Sequence, residues 1–185
     1  MADSDATVIA ASLDDARAFV AIFERHFDSI SRYLRRRLSR VAADDLAAEV
    51  FATAFSRRTA YDLSRPDALP WLYGIAANLM RSRARMEERE LRALARTGVD
   101  RIGVAAADPG AGGSLEPVLA AALLDLGPAD REVLLLFALG DLGYEQIAVA
   151  LGLPVGTVKS RLNRARRRVR HRLNERTLAE EAAHG

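Results

Sequence analysis

The sequence has no cysteine, three histidines, one tryptophan and a single lysine, and aromatic residues make up only 6% of its 185 positions. Without thiols there are no disulfides, thiolate metal sites or cysteine nucleophiles, and His26, His171 and His184 are too scattered for a metal-ligand spacing. Glycine-rich phosphate loops and nucleophile–base constellations are also missing, so we expect no cofactor, no metal and no catalytic residue. No apolar run approaches the roughly 18 residues of a membrane span. The opening segment MADSDATVIAASLDDARAF is acidic where a secretory signal is basic, which points to a cytoplasmic protein without membrane insertion.

Alternating β-branched patterns are scarce as well, while Ala, Leu, Arg and Glu dominate, so the fold class reads as all-α. Half of the residues are hydrophobic, enough for one ordinary domain or two small ones. The net charge of +2 conceals an asymmetry: between Val155 and Arg176 stand nine cations and one acid, Glu175, so that stretch carries +8 and the rest of the chain −6. A basic end on an acidic protein implies a polyanionic partner. The near-exclusive use of arginine over lysine reads as codon bias rather than selection for phosphate forks.

A first helix is expected from about Leu13 to Leu38, where Phe19, Phe23, Phe27, Ile30, Leu34 and Leu38 recur every three or four residues; its other face carries Arg32, Arg35 and Arg36. A second begins near Asp44 and places Leu46, Val50, Phe51 and Phe55 on one side. The polar stretch SRRTAYDLSRPDA is a loop. A third helix starts around Leu69 and Pro70, carries Trp71, Leu72, Ile75 and Leu79, and runs to about Ala95. From Arg96 to Pro117 five glycines and two prolines interrupt any helical period, which marks a flexible connector. The domains are therefore expected at 13–95 and 118–176, joined by a linker at 96–117. The second domain holds three short helices and a final arginine-rich one.

QIAVALGLPVGTVKSRL has the spacing of a helix-turn-helix: Ala148 permits a close helix crossing, Gly152 accepts a positive φ in the turn, and Val158 pins the second helix. Val158, Leu162, Ala165, Val169 and Leu173 then form an inward stripe. Outward lie Thr157, Lys159, Ser160, Arg161, Asn163 and Arg164, where a recognition helix meets base edges, followed by Arg166, Arg167, Arg168 and Arg170 at phosphate level. An ordinary solvated face mixes signs for i,i+4 pairing; this one has no acid from Val155 to Asn174, which favours a nucleic-acid reader over a basic tail.

With these residues in view, the chain resembles the bacterial extracytoplasmic-function sigma factors, the compact two-domain members of the sigma-70 family. LGPADREVLLLFALGDLGYEQIAVALGLPVGTVKSRLNRAR resembles their domain 4, and FERHFDSISRYLRRRL, AADDLAAEVFATAF and WLYGIAANLMRSRAR resemble successive helices of domain 2. The resemblance implies that Asp45, Leu46, Glu49 and Val50 dock onto the β′ clamp helices of core RNA polymerase and that domain 4 meets the β flap. The apolar pair with acids beside it suits such an interface. It implies that Arg57, Arg58, Asn78, Arg81, Arg83 and Arg85 melt and hold the minus-ten element. A cationic track and polar pocket walls are what a displaced strand needs. Thr157, Lys159, Ser160, Arg161, Asn163, Arg164, Arg167 and Arg168 would bind the minus-35 duplex. Two positions depart from the family's usual pattern: Ala48 stands where Gln is frequent, and Ser82 where Asp is frequent.

The expected function is a dissociable initiation subunit that binds polymerase, reads minus-35 duplex DNA and opens the minus-ten element. Family members are often held by an anti-sigma factor, an expected partner here. The connector of the family threads toward the RNA exit path, a route that Asp100, Asp108 and Glu116 among flexible residues would tolerate, and a plain tether has the same composition; with a short tail from Thr177, no added C-terminal domain is expected. The alternative is a stand-alone helix-turn-helix regulator that binds duplex DNA without polymerase; an enzyme with a basic helical domain would need an acid/base or metal cluster that is not found.

Overall fold

The computed structural model describes residues 3–96 and 117–184, so nearly all of the expected linker lies outside the described residues. Among the described residues the chain forms α-helices and short 3-10 turns, with no strand, as the composition predicts. It divides into two compact units, residues 1–112 and 113–185.

The first unit contains α1 (Asp5–Asp14), α2 (Val20–Arg35), α3 (Arg40–Ser56) and α4 (Leu69–Arg96), with 3-10 turns at Ala16–Phe19 and Arg58–Ala60. The expected single helix from Leu13 to Leu38 is two helices broken at Asp15. That residue is extended (φ −121°, ψ 100°), and its carboxylate accepts from Arg17 N–H at 3.0 Å, so the side chain replaces the helical bond it interrupts. The periodicity argument overlooked α1 because its buried stripe, Asp5, Val8, Ile9 and Ser12, includes two polar residues. Both are satisfied: Ser12 Oγ donates to Ile9 O at 2.6 Å, and Asp5 accepts from Arg25, His26 and Ala68 N–H at 2.9, 2.7 and 2.8 Å. Ser4 caps α1, its Oγ accepting from Thr7 N–H.

Helix α3 starts at Arg40, four residues earlier than expected, because Ser39 and not Asp44 supplies its N-cap, accepting from Ala42 N–H. Ile9, Ile22, Ile30, Tyr33, Leu34, Leu46, Val50 and Leu72 close the core of this unit. Burial of each such large side chain contributes roughly 1.5–3 kcal/mol before conformational entropy is set against it. Phe23 lies outside that core at 41% exposure; with the half-buried Phe27 it packs against Phe51 along the α2–α3 seam, edge-on for Phe23 and tilted for Phe27, at centroid distances of 5.0 and 6.2 Å.

The second unit contains α5 (Pro117–Leu124), α6 (Pro128–Leu139), α7 (Tyr144–Leu151) and α8 (Val155–His184). Pro128 opens α6 in the first turn, where a missing N–H costs nothing. Arg131 reaches back to cap α5, donating to the carbonyls of Leu123, Leu124 and Leu126 at 2.7, 2.7 and 3.0 Å. Helix α8 continues to His184, past the Leu173 end of its apolar stripe, through the strong helix formers of ERTLAEEAA. No helix is long and apolar enough to cross a membrane among the described residues.

Candidate nucleic-acid and polymerase interfaces

The turn between α7 and α8 forms as its residues dictate. Gly152 sits at φ 63°, ψ 40°, the left-handed region, and Leu153 N–H returns to Ala148 O at 2.9 Å, closing α7 so that α8 can leave at an angle. Ala148 and Val158 are buried at 8% and 0% exposure, and Leu162 and Ala165 continue the inward stripe while Val169 and Leu173 are half-buried. The hydroxyl of Ser160 donates to Thr157 O at 3.0 Å. Thr157 and Arg161 are half-buried; Lys159, Ser160, Asn163, Arg167 and Arg168 are exposed on the outer side of α8.

Four cations of this helix are less free than the sequence implied: Lys159 Nζ lies 5.7 Å from the Tyr144 ring centroid, and three arginines have partners. Arg164, expected at base edges, instead clasps the buried Asp130 in the first turn of α6, with Nε and Nη2 donating at 2.6 and 2.9 Å. That hydrogen bond, outweighing the effect of burial, holds the Asp130 carboxyl below the usual range, and the carboxylate in turn raises the Arg164 pKa. The pair locks α8 onto α6 and so sets how the recognition face is presented. Arg166 lies over the Phe137 ring at 4.4 Å, and Arg172 donates to Asp125 at 2.6 Å. The reader-like set that remains is Thr157, Lys159, Ser160, Arg161 and Asn163, with Arg167, Arg168 and Arg170 beyond it. The signal for Asp130 was present in the sequence, an acid just inside a Gly-Pro helix start, but nothing local named its partner 34 residues away.

In the first unit α3 carries the expected polymerase residues, and burial divides them. Leu46 and Val50, expected as apolar interface contacts, are fully buried and anchor the helix in the domain core, because α3 turns that face toward α2 and α4. Asp45, Ala48 and Glu49 are exposed beside them. Asp44, next to them, accepts from Arg35 at 2.8 Å.

Of the expected minus-ten residues, Asn78, Arg81 and Arg85 are exposed on one face of α4 at spacings of three and four; Ser82 is exposed near them. Arg81 Nη2 donates to Asn78 Oδ1 at 2.5 Å and its Nε to Ala77 O at 3.2 Å. Arg83 turns toward α3 and donates to Glu49 Oε2 at 2.5 Å. Arg57 is exposed at the end of α3. Arg58 is half-buried and already employed, donating to Phe55 O at 2.8 Å and Ser12 O at 3.2 Å while lying 4.0 Å over the Phe55 ring. Its guanidinium caps the last turns of α1 and α3 and is committed there in the free protein. Trp71 is half-buried with its ring 5.0 Å from that of Tyr61. Tyr61 donates to Arg65 O at 2.7 Å, and burial, with Asp5 nearby, pushes its hydroxyl pKa up to about 12.

Asp5, His26 and Asp67 bring ligand-type atoms within 4.8 Å of one another, a cluster the sequence did not reveal. Both carboxylate oxygens of Asp5 are already engaged, one by the cationic Arg25 and the other by His26 and Ala68 N–H, an arrangement that suits a structural ion pair better than a cation site.

The comparisons with known proteins follow the same division. The Sigma-70 region 2 family model matches residues 22–90, and the Sigma-70, region 4 family model matches residues 118–169. The ECF RNA polymerase sigma factor SigW of Bacillus subtilis is 30% identical over 172 residues, spanning 87% of this chain and 91% of the relative. The ECF RNA polymerase sigma factor EcfG of Rhodopseudomonas palustris is 38% identical over 131 residues, 67% of each chain. Among solved structures, CnrH in complex with the cytosolic domain of CnrY superposes with a TM-score of 0.65 at 26% identity, covering 94% of this chain and 99% of CnrH. The sigma factor RpoE of Bartonella quintana, solved with the anti-sigma factor NepR, shares the fold at a TM-score of 0.63 and 23% identity, covering 84% of this chain and 96% of RpoE. With two sigma modules in order and full-length relatives of the same kind, the chain belongs to the sigma-70 family, among its extracytoplasmic-function (ECF) RNA polymerase sigma factors.

Proposed function

We propose that this sigma factor divides its work between its two units as follows. As an initiation factor and not an enzyme, it associates with core RNA polymerase and directs transcription from promoter DNA. The second unit, taken as 118–176, reads the minus-35 duplex: Lys159, Arg161 and Asn163, with Thr157 and Ser160, face base edges, while Arg167 and Arg168 hold phosphates. The first unit, 13–95, docks on the β′ clamp helices through Asp45 and Glu49 and holds the opened minus-ten strand with Arg57, Asn78, Arg81, Arg83 and Arg85. Domain 4 rests on the β flap. Binding energy gathered from duplex and polymerase is spent on strand separation, which needs no catalytic group.

The observation that carries the DNA assignment is the outer face of α8, acid-free from Val155 to Asn174 and held in place by the left-handed turn at Gly152 and the Arg164–Asp130 clasp. A solvated helix face has no need of that charge density or of that anchoring. An anti-sigma factor is a further proposed partner, since CnrH, alike over nearly the whole chain, forms a complex with the cytosolic domain of CnrY. The exposed Val20, Phe23 and Val41 give domain 2 apolar surface for such a partner. We place the protein in the cytoplasm, where polymerase and promoters are.

Transcription from purified core polymerase tests the reading. Promoter-specific transcripts are expected only with this protein present, and Arg161→Ala and Arg81→Ala are expected to reduce them. Transcripts unaffected by either substitution would overturn the residue assignments.

A further inference from the structure

Arg32, Arg35 and Arg36 share the outward side of α2 and take no part in the interfaces proposed above. With Phe27, Asp28 and Ser31 they line an open groove of about 380 Å³. Arg35 is committed to Asp44 by bonds of 3.1 and 2.8 Å. Arg32 and Arg36, one turn apart and exposed, make no side-chain hydrogen bond or ion pair with any described residue. Ser31 is a second and independent sign. It is 3% exposed, and its hydroxyl is buried with no hydrogen-bond partner among the described residues, although a helical serine ordinarily bonds a carbonyl one turn back.

We propose that this groove binds a phosphodiester of a nucleic-acid strand, with the Arg32 and Arg36 guanidinium groups as forks and the Ser31 hydroxyl as a third donor. Guanidinium geometry matches two phosphate oxygens, and the half-buried Phe27 provides a wall of low polarity that strengthens the attraction. With Arg35 neutralised, the free charges are two cations and the Asp28 carboxylate. That balance suits a singly charged diester better than a terminal phosphate carrying two charges, and it makes Asp28 a brake on affinity. In the initiation complex the natural source is the backbone of promoter DNA, so α2 supplies a phosphate contact separate from the minus-ten residues of α4. The promoter arm of this inference rests on the DNA assignment of domain 2; the groove itself does not.

Two measurements on the full chain decide it. First, binding of a short labelled oligothymidylate to the protein alone is compared with that of inorganic phosphate and ATP. The Arg32→Ala, Arg36→Ala double variant is expected to lose about tenfold or more in oligonucleotide affinity, and Asp28→Asn to gain severalfold. Ser31→Ala is expected to lose affinity with thermal stability unchanged or raised, because it deletes an unpaired buried oxygen; a merely structural serine would leave affinity alone. Second, the holoenzyme carrying the double variant is titrated with salt on promoter DNA. Its log K against log salt slope is expected to shrink by about one with promoter ranking unchanged. Oligonucleotide affinity indifferent to Arg32, Arg36 and Asp28 would overturn the groove assignment even if minus-ten reading stands. Preference for inorganic phosphate or ATP at the same residues would overturn the diester, and an unchanged salt slope would remove promoter DNA as its source.

Discussion

Arg83 on α4 donates to Glu49 on α3 across 34 residues of sequence, so a cation proposed to hold the minus-ten strand and an acid proposed to meet polymerase neutralise one another in the free protein. Both side chains are about two-fifths exposed, which makes the pair weak, on the order of 0–1 kcal/mol, and easily exchanged for other partners. Glu49→Gln is expected to lower core-polymerase affinity severalfold, read by fluorescence anisotropy. Arg83→Ala should leave that affinity within twofold and reduce promoter opening instead. Equal loss of polymerase binding in both variants would show that the two residues serve one interface.

The burial of Leu46 makes a separable claim about the same helix. Leu46→Ala is expected to cost about 2–5 kcal/mol of domain stability through a cavity, measured by denaturant unfolding, whereas Asp45→Ala beside it should cost under about 0.5 kcal/mol. Polymerase binding lost by Leu46→Ala without a stability change would restore Leu46 to the interface.

On α8 three arginines should behave in three ways. Arg161→Ala is expected to change promoter ranking, with about 1–3 kcal/mol lost at a single base pair. Arg168→Ala should weaken all promoters alike and reduce the salt slope by about one. Arg164→Ala should lower the melting temperature of domain 4 along with DNA binding, because it unclasps Asp130. Gel-shift competition and thermal melts on one set of variants distinguish these outcomes.

Gly152 has open space around a built Cβ, so only backbone conformation penalises a side chain there. Gly152→Ala is expected to cost about 1–2 kcal/mol from the positive φ alone. Gly156→Ala, equally uncrowded but without positive φ, should be neutral or stabilising. Chemical denaturation of both variants checks the contrast.

Asp5 links stability of domain 2 to pH. Burial by itself would raise its pKa, but bonds from Ala68 N–H, Arg25 and His26 outweigh it and hold the folded-state value below the usual carboxylate range. A depressed carboxylate contributes stability that is present above its unfolded pKa and is lost as pH falls through the lowered folded value. Thermal stability of domain 2 is therefore expected to fall off below about pH 4. Asp5→Asn should cost about 2 kcal/mol at neutral pH, because it removes an acceptor from buried donors, and should flatten that acid limb. A variant that keeps the wild-type acid profile would exclude Asp5 as its cause.

How legible all this was depends on how local each signal is. The helix-turn-helix could be read from Ala148, Gly152 and Val158 alone, because a crossing, a left-handed turn and a buried pin are demands made on single residues. The break at Asp15 was harder, since a polar residue between two helical patterns reads equally well as part of one. Helix α1 was missed for a physical reason: its buried stripe contains Asp5 and Ser12, and polar residues in a core become legible only when their partners are known.

The sequence by itself determined the all-α class, the two-unit division around a glycine-rich connector, and the inward stripe of α8 opposite an acid-free face. These follow from periodicity and composition, which act over one or two helical turns. Only the tertiary structure decided which charges are available. Arg164 is bound to Asp130, Arg58 to the carbonyls of Phe55 and Ser12, and Arg83 to Glu49, while Arg32 and Arg36 are unpaired among the described residues. A guanidinium spans several ångströms and finds its acceptor in space, so its partner is set by how helices pack and not by its neighbours along the chain.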